Sequence, residues 1–260
     1  MSKIIAIANQ KGGVGKTTTC VNLCASLAAV KRRVLLIDLD PQGNATVSSG
    51  IAKKELTGVT IKEILLDQAV TEAGILKTQA AYDLLPSDDE LTVAEIQLLK
   101  QEQREYVLRT ALATVRSNYD FVLIDCPPSL NILTVNALVA ADSVLIPMPC
   151  EYFALEGLAS LLNTIENIRK TANPNLKIEG LLRTMYDGRN RLTHEVTEQL
   201  VTHFGEKLYS TVIPRNIRLA EAPSFGMPAL LYDRRSQGAT AYLALAGEML
   251  RQEVQVEKVS

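Results

Sequence analysis

Eight consecutive residues, Lys11-Gly12-Gly13-Val14-Gly15-Lys16-Thr17-Thr18, hold the most concentrated chemistry of the chain. Glycines let a backbone turn its amide hydrogens inward around a polyphosphate, and a helix that begins at once adds its positive N-terminal end. In such a cradle Lys16 reaches the β and γ phosphates as a compact charge. The Thr17 hydroxyl takes a coordination position on Mg2+, and Thr18 donates to the α phosphate. A bound triphosphate with its magnesium ion is the chemistry this spacing points to.

Two further segments supply carboxylates. Asp38-Leu39-Asp40-Pro41-Gln42-Gly43-Asn44 follows an apolar run and sets two carboxylates two residues apart at a strand's carboxyl end, where open α/β sheets bind ligands. Groups so placed hold Mg2+ waters or orient an attacking water near a γ phosphate, and Asp40 is the better candidate for the water. An Asp-Pro turn start would read the same way. Phe121–Ile124 followed by Asp125-Cys126-Pro127-Pro128-Ser129 is a Walker B arrangement: four apolar residues and then a carboxylate. Asp125 is expected to bind Mg2+ through a water, because that ion keeps part of its hydration shell. The two prolines stiffen the connection beyond it.

These residues need strands and helices to aim them. Apolar runs of strand length recur at Ile4–Ala8, Val34–Ile37, Phe121–Ile124, Val144–Ile146 and Ile178–Met185, apolar without a period of two, as in strands covered on both faces. Helix-forming stretches lie between them at Thr17–Val30, Leu91–Arg116, Leu130–Ala140, Leu155–Thr171 and Arg191–Phe204. The alternation predicts an α/β fold with a mostly parallel, doubly wound sheet of the P-loop type. No repeat or Pro/Gly-rich linker divides residues 1–260, so a single domain is expected.

Composition narrows the classes. Of 260 residues 47% are hydrophobic and 22% charged, an ordinary globular balance. No apolar run approaches the roughly 18 residues of a membrane span. The first ten residues lack the basic leader and cleavage site of a secretory signal, which predicts a cytosolic protein. Cys20, Cys24, Cys126 and Cys150 are too sparse for a disulfide framework and read as packing thiols. A net charge of −2 gives no global attraction to nucleic acid or acidic lipid.

Lys11, with Gly12 and Gly13 behind it and Gln10 where a strict Walker A motif has glycine, resembles the deviant Walker A motif of the ParA/MinD/nitrogenase iron-protein group of P-loop ATPases. The likeness to short chromosomal ParA/Soj proteins extends over the nucleotide loop, Asp38–Asn44, Phe121–Ser129, Glu151–Gly157 and Pro214–Gly226. It implies ATP and Mg2+ as cofactors, weak intrinsic ATPase activity, and an ATP-sandwich homodimer in which Lys11 reaches the partner's nucleotide. It implies Asp40 positioning the hydrolytic water, Asp38 near the metal's outer shell, and Pro214 and Asn216 around the adenine. Asn216 capping a loop-to-helix junction would look the same.

The resemblance further implies ATP-dependent, nonspecific binding of double-stranded DNA through Arg189 and Arg218, association with the nucleoid, and stimulation by a ParB-type centromere-binding partner. No N-terminal helix-turn-helix domain is expected. Between Arg183 and Arg235 eight basic side chains face six acidic ones, so one subunit alone should bind DNA poorly, and arginines on a solvated face would show the same balance.

A MinD-like membrane-associated division-site ATPase is the alternative. The end, Arg251–Ser260, balances two acids against two bases, which gains little on anionic lipid. The cysteines lack the spacing of a metallocluster carrier, and no tyrosine cluster marks a bacterial tyrosine kinase.

Overall fold

The apolar runs become five neighbouring parallel strands of a seven-stranded sheet, in a computed structural model that describes residues 2–151 and 154–259. The strands are β1 (Lys3–Ile7), β2 (Val34–Asp38), β3 (Leu76–Lys77), β4 (Asp83–Leu85), β5 (Phe121–Asp125), β6 (Ser143–Pro149) and β7 (Lys177–Thr184), in the order β3-β4-β2-β5-β1-β6-β7. All pairs are parallel except β3 with β4, a short antiparallel edge. The helices are α1 (Lys16–Ala29), α2 (Asn44–Ser48), α3 (Ile61–Asp67), α4 (Leu91–Leu98), α5 (Val107–Leu112), α6 (Ile132–Ala140), α7 (Ala154–Thr171), α8 (Arg191–Phe204), α9 (Ile217–Glu221), α10 (Ala229–Tyr232) and α11 (Gln237–Val259).

β1 beyond Lys3, and β2 and β5 up to their closing aspartates, are apolar because both faces are covered, whereas the outer strand β7 carries Lys177, Glu179 and Arg183. Ile4, Ala6, Leu35, Ile37, Val122 and Ile124 pack on one face beneath α3 to α8. Ile5, Ile7, Val34, Leu36, Phe121 and Leu123 pack on the other beneath α1 and α11. The connection from β1 to β2 runs through α1 on one face, and that from β5 to β6 through α6 on the opposite face. The chain therefore leaves the adjacent strands β1 and β5 in opposite directions, and a crevice opens at their carboxyl ends.

One expectation is corrected, and one helix is added that the sequence reading omitted. Leu91–Arg116 is not one helix: α4 ends at Leu98, Gln103 takes a left-handed backbone (φ 52°), and α5 begins only at Val107. The Arg104 guanidinium donates to the Leu99 carbonyl at 2.6 Å and seals the break. The omitted helix is α11, whose buried Tyr242, Leu245, Ala246 and Met249 fall at the i, i+3, i+4, i+7 spacing of a helix face. Tyr152 and Phe153, within one of the segments of resemblance, lie outside the described residues.

Candidate phosphate and cation site

The loop after β1 is held from three sides. Asn9, just past the strand, donates from Nδ2 to the Pro147 carbonyl at 2.8 Å and accepts from the Lys11 amide at 3.0 Å. The Thr184 hydroxyl at the end of β7 donates to the Val14 carbonyl at 2.8 Å. Gly13 and Gly15 adopt φ of 71° and 90°, backbone that any side chain would strain, and Gly15 is the N-cap of α1. A Cβ built on Gly12 or Gly13 would meet nothing within 4 Å, and both residues line an open cleft.

That cleft, of ≈ 580 Å³, is lined by Gly12, Gly13, Gly15, Lys16, Thr17 and Thr18 from the loop and the start of α1. Asp40, Pro41, Gln42 and Asn44 line it after β2, Pro127, Pro128, Ser129 and Asn131 after β5, and Met185 after β7. Thr92 and Glu95 of α4 complete the wall. Lys16 is buried, and its ammonium donates to the Lys11 carbonyl at 3.2 Å. Burial lowers its pKa, while Asp125, Cys126 and Asp40 act to restore the charge.

The register of β2 on β5 pairs Asp38 directly with Asp125, so two fully buried carboxylates lie side by side. Their partners differ. Asp38 accepts from the Asp40 amide at 3.2 Å, and from the Thr46 amide and hydroxyl at 2.7 Å each. Asp125 accepts on Oδ1 from the Cys20 thiol at 3.4 Å, and its buried Oδ2 has no partner among the described residues. The Thr17 hydroxyl faces Asp125 and favours its charged form, although no hydrogen bond of ordinary geometry joins them. Burial, then the neighbouring Asp38, push the Asp125 pKa upward, and burial does the same to Asp38 against its hydrogen bonds. Cys20 and Cys126 are pushed up too, first by burial and then by Asp125, and so stay thiols.

This donor set fits a hard divalent cation. It offers carboxylate oxygens, a threonine hydroxyl at the cleft and an orphaned buried acceptor, with Lys16 the buried cation among the described residues. Asp40 stands at the rim, its Oδ1 accepting from the Gln42 amide at 3.0 Å, its carbonyl held by the Ser87 hydroxyl at 2.9 Å.

Other candidate residues fall outside this group. Lys11 reaches away from the loop and pairs with Glu151 at 2.8 Å, both side chains about half exposed. Asn216 caps α9, its side chain accepting from the Arg218 amide at 3.1 Å, and neither it nor Pro214 lines the cleft. A bridge between Tyr186 and Pro214 nevertheless brings that segment beside Met185. Met185 carries a left-handed backbone (φ 49°) that turns the chain at the cleft's edge. Sequence reasoning missed Asn9, Thr184 and Met185. Asn9, immediately before the loop, could have been suspected as a turn-forming side chain, whereas the other two depend on a strand 170 residues away. Arg189 is exposed and held by both oxygens of Asp187 at 2.9 Å. Arg218 pairs with Glu221 at 2.8 Å and Asp233 at 3.4 Å.

Residues 2–178 match the AAA domain family described as AAA_31. The chain is 53% identical over 250 residues to the sporulation initiation inhibitor protein Soj of Bacillus subtilis, covering 96% of this chain and 98% of that one. It is 51% identical over 254 residues to the chromosome partitioning protein ParA of Caulobacter vibrioides, covering 96% and 95%. Among solved structures it superposes with a TM-score of 0.84 on the cobyrinic acid a,c-diamide synthase of Mycobacterium smegmatis with bound ADP and magnesium, at 39% identity over 96% of this chain and 95% of that one. With a glycine loop leading into α1, a carboxylate at the end of each of β2 and β5, and these relatives matched over nearly their whole length, the chain belongs to the ParA/Soj family of partition ATPases, which act on ATP with Mg2+.

Proposed function

We propose that this ATPase is a DNA-partitioning switch acting as a single domain in the cytosol, in which Mg-ATP drives two copies together and the pair holds nonspecific DNA until hydrolysis releases it. The loop amides and Lys16 bind the β and γ phosphates, Thr18 the α phosphate, and Pro214 and Asn216 flank the adenine with Met185 nearby. Thr17 and, through a water, Asp125 would hold Mg2+, with Asp38 behind them. The ion when bound neutralises charge on the β and γ oxygens. Asp40 accepts a hydrogen bond from the attacking water and orients it toward the γ phosphate.

The observation that carries the switch is the divergence of the two lysines. Lys16 lies inside the loop, while Lys11 projects to the rim and is free to exchange Glu151 for a phosphate of a second copy. A triphosphate pressed into a dry interface needs such a second cation. Arg189 and Arg218 then contact DNA phosphates, each exchanging a carboxylate partner for one, and pairing two subunits doubles the array. A ParB-type partner stimulates the slow turnover, and the nucleoid is where the loaded form resides.

The test is DNA retention with ATP, ADP and no nucleotide. Wild type should bind only with ATP. Lys16→Ala should never bind, and Asp40→Ala should stay bound and sediment as a dimer. With four phosphates neutralised per dimer, log K should fall against log salt with a slope of about −3.6, and Arg189→Ala with Arg218→Ala should abolish retention while sparing ATP binding. A monomeric Asp40→Ala protein saturated with Mg-ATP would refute the proposal. Against the MinD-like alternative, Arg251–Ser260 balances two acids against two bases, which offers little attraction to anionic lipid, so co-sedimentation with anionic liposomes is expected to be negligible with ATP.

A further inference from the structure

The thiol of Cys20 stands where the proposed site does not yet use it. It lies on α1, four residues beyond Lys16, fully buried, with Sγ 3.4 Å from Asp125 Oδ1. It is the one hydrogen bond of ordinary geometry to the Asp125 side chain among the described residues; the Thr17 hydroxyl also faces that carboxylate, and Oδ2 is left without a partner. Turning the planar group would break the thiol contact, so the thiol favours one direction for the other oxygen. The neighbouring Asp38 shows the opposite arrangement, with donors on both oxygens.

We propose that Cys20 is a positioning residue for magnesium: its thiol holds Asp125 by Oδ1 so that Oδ2 remains the acceptor for a water of the bound ion. The thiol touches neither ion nor nucleotide and acts through Asp125 alone. A thiol suits this position because it is a weak donor: it orients the carboxylate while leaving most of its charge for the ion. This inference rests on the assignment of Asp125 to Mg2+, and the experiment separates the two.

The experiment measures the Mg2+ concentration for half-maximal binding of a fluorescent ATP analogue, and binding of the same analogue in EDTA, for wild type, Cys20→Ala, Cys20→Ser and Asp125→Asn. Cys20→Ala should raise the Mg2+ requirement about 5-fold with EDTA binding unchanged, and Cys20→Ser, which keeps a donor, should restore it. The infrared S–H stretch assigned to Cys20 by subtraction of the Cys20→Ser spectrum should shift when Mg2+ is added to the ATP-loaded protein, a change that packing alone would not produce. If Asp125→Asn leaves the Mg2+ requirement unchanged, the assignment of Asp125 fails. If Asp125→Asn raises it while Cys20→Ala does not and the S–H band stays fixed, Cys20 has no positioning role. Should Cys20→Ala fail to fold, Cys20→Ser and the wild-type S–H band decide: a band insensitive to Mg2+ overturns the proposal.

Discussion

The ends of β2 and β5 invite comparison because they are so nearly alike: adjacent parallel strands, each closing on a fully buried aspartate in register with the other. At the end of β2 the carboxylate is supplied with three donors, and two of them come from Thr46 on α2. Asp38 thereby organises the turn that carries Asp40 to the cleft. At the end of β5 the carboxylate receives one weak thiol donor, faces the Thr17 hydroxyl, and keeps an oxygen bare. The same residue type at the same depth builds local structure in one place and awaits an external charge in the other. The supply of donors distinguishes them.

Replacement of Asp125 should widen the contrast most. Asp125→Asn is expected to lower Mg-dependent phosphate release by about 100-fold or more, because the ion's charge stabilisation is lost. It should also raise the melting temperature of the nucleotide-free protein at neutral pH. Burial raises this carboxyl's pKa in the fold above its unfolded value, so the stability it gives is present in acid and lost as pH climbs through the folded value. A neutral amide removes that penalty. A lower melting temperature would show that the carboxylate is structural after all.

Asp38→Ala should do the reverse. It strands three donors in the interior and should cost about 3 kcal/mol in urea unfolding, with a smaller change in Mg2+ affinity for the protein that remains folded. Equal effects of the two substitutions on Mg2+ affinity would erase the distinction. An effect of pH comes next. With both carboxyls pushed upward, the ion must displace a proton, so Mg2+ affinity should rise with pH by up to about tenfold per unit across the neutral range. Calorimetry in buffers of different ionisation enthalpy would count the protons released. The smallest effect belongs to Thr46→Val, which removes one donor to Asp38 and the acceptor for the Ser87 amide, worth about 1 kcal/mol in stability. A modest loss of turnover should accompany it if Asp40 shifts.

What the amino-acid sequence reveals of this molecule follows from how local each signal is. The loop is one contiguous motif, and β1, β2, β5 and β6 are mostly apolar runs, so both are legible within a few residues; β7 is a mixed run that carries Lys177, Glu179 and Arg183. The break between α4 and α5 depends on a left-handed Gln103 within a stretch of good helix formers, which composition does not mark. The edge strand β3 and its neighbour β4, of two and three residues, are too short to show a period. The support of the loop by Thr184, and the contact of Cys20 with Asp125 across 105 residues, come from strand order alone. Asn216 was ambiguous in kind: the same amide that can read a base edge also caps α9.

The setting of α1 has a mechanical consequence. Its own mostly small side chains are buried nearly all round, with the sheet on one side and α11 on the other, and the Thr19 hydroxyl lies 3.1 Å from that of Tyr242. A rod so confined cannot slide or tilt without opening voids. In the proposed switch, any movement on loss of the γ phosphate is therefore expected in the rim segments beyond Asp40 and Asp125, with α1 as the fixed bed against which they travel.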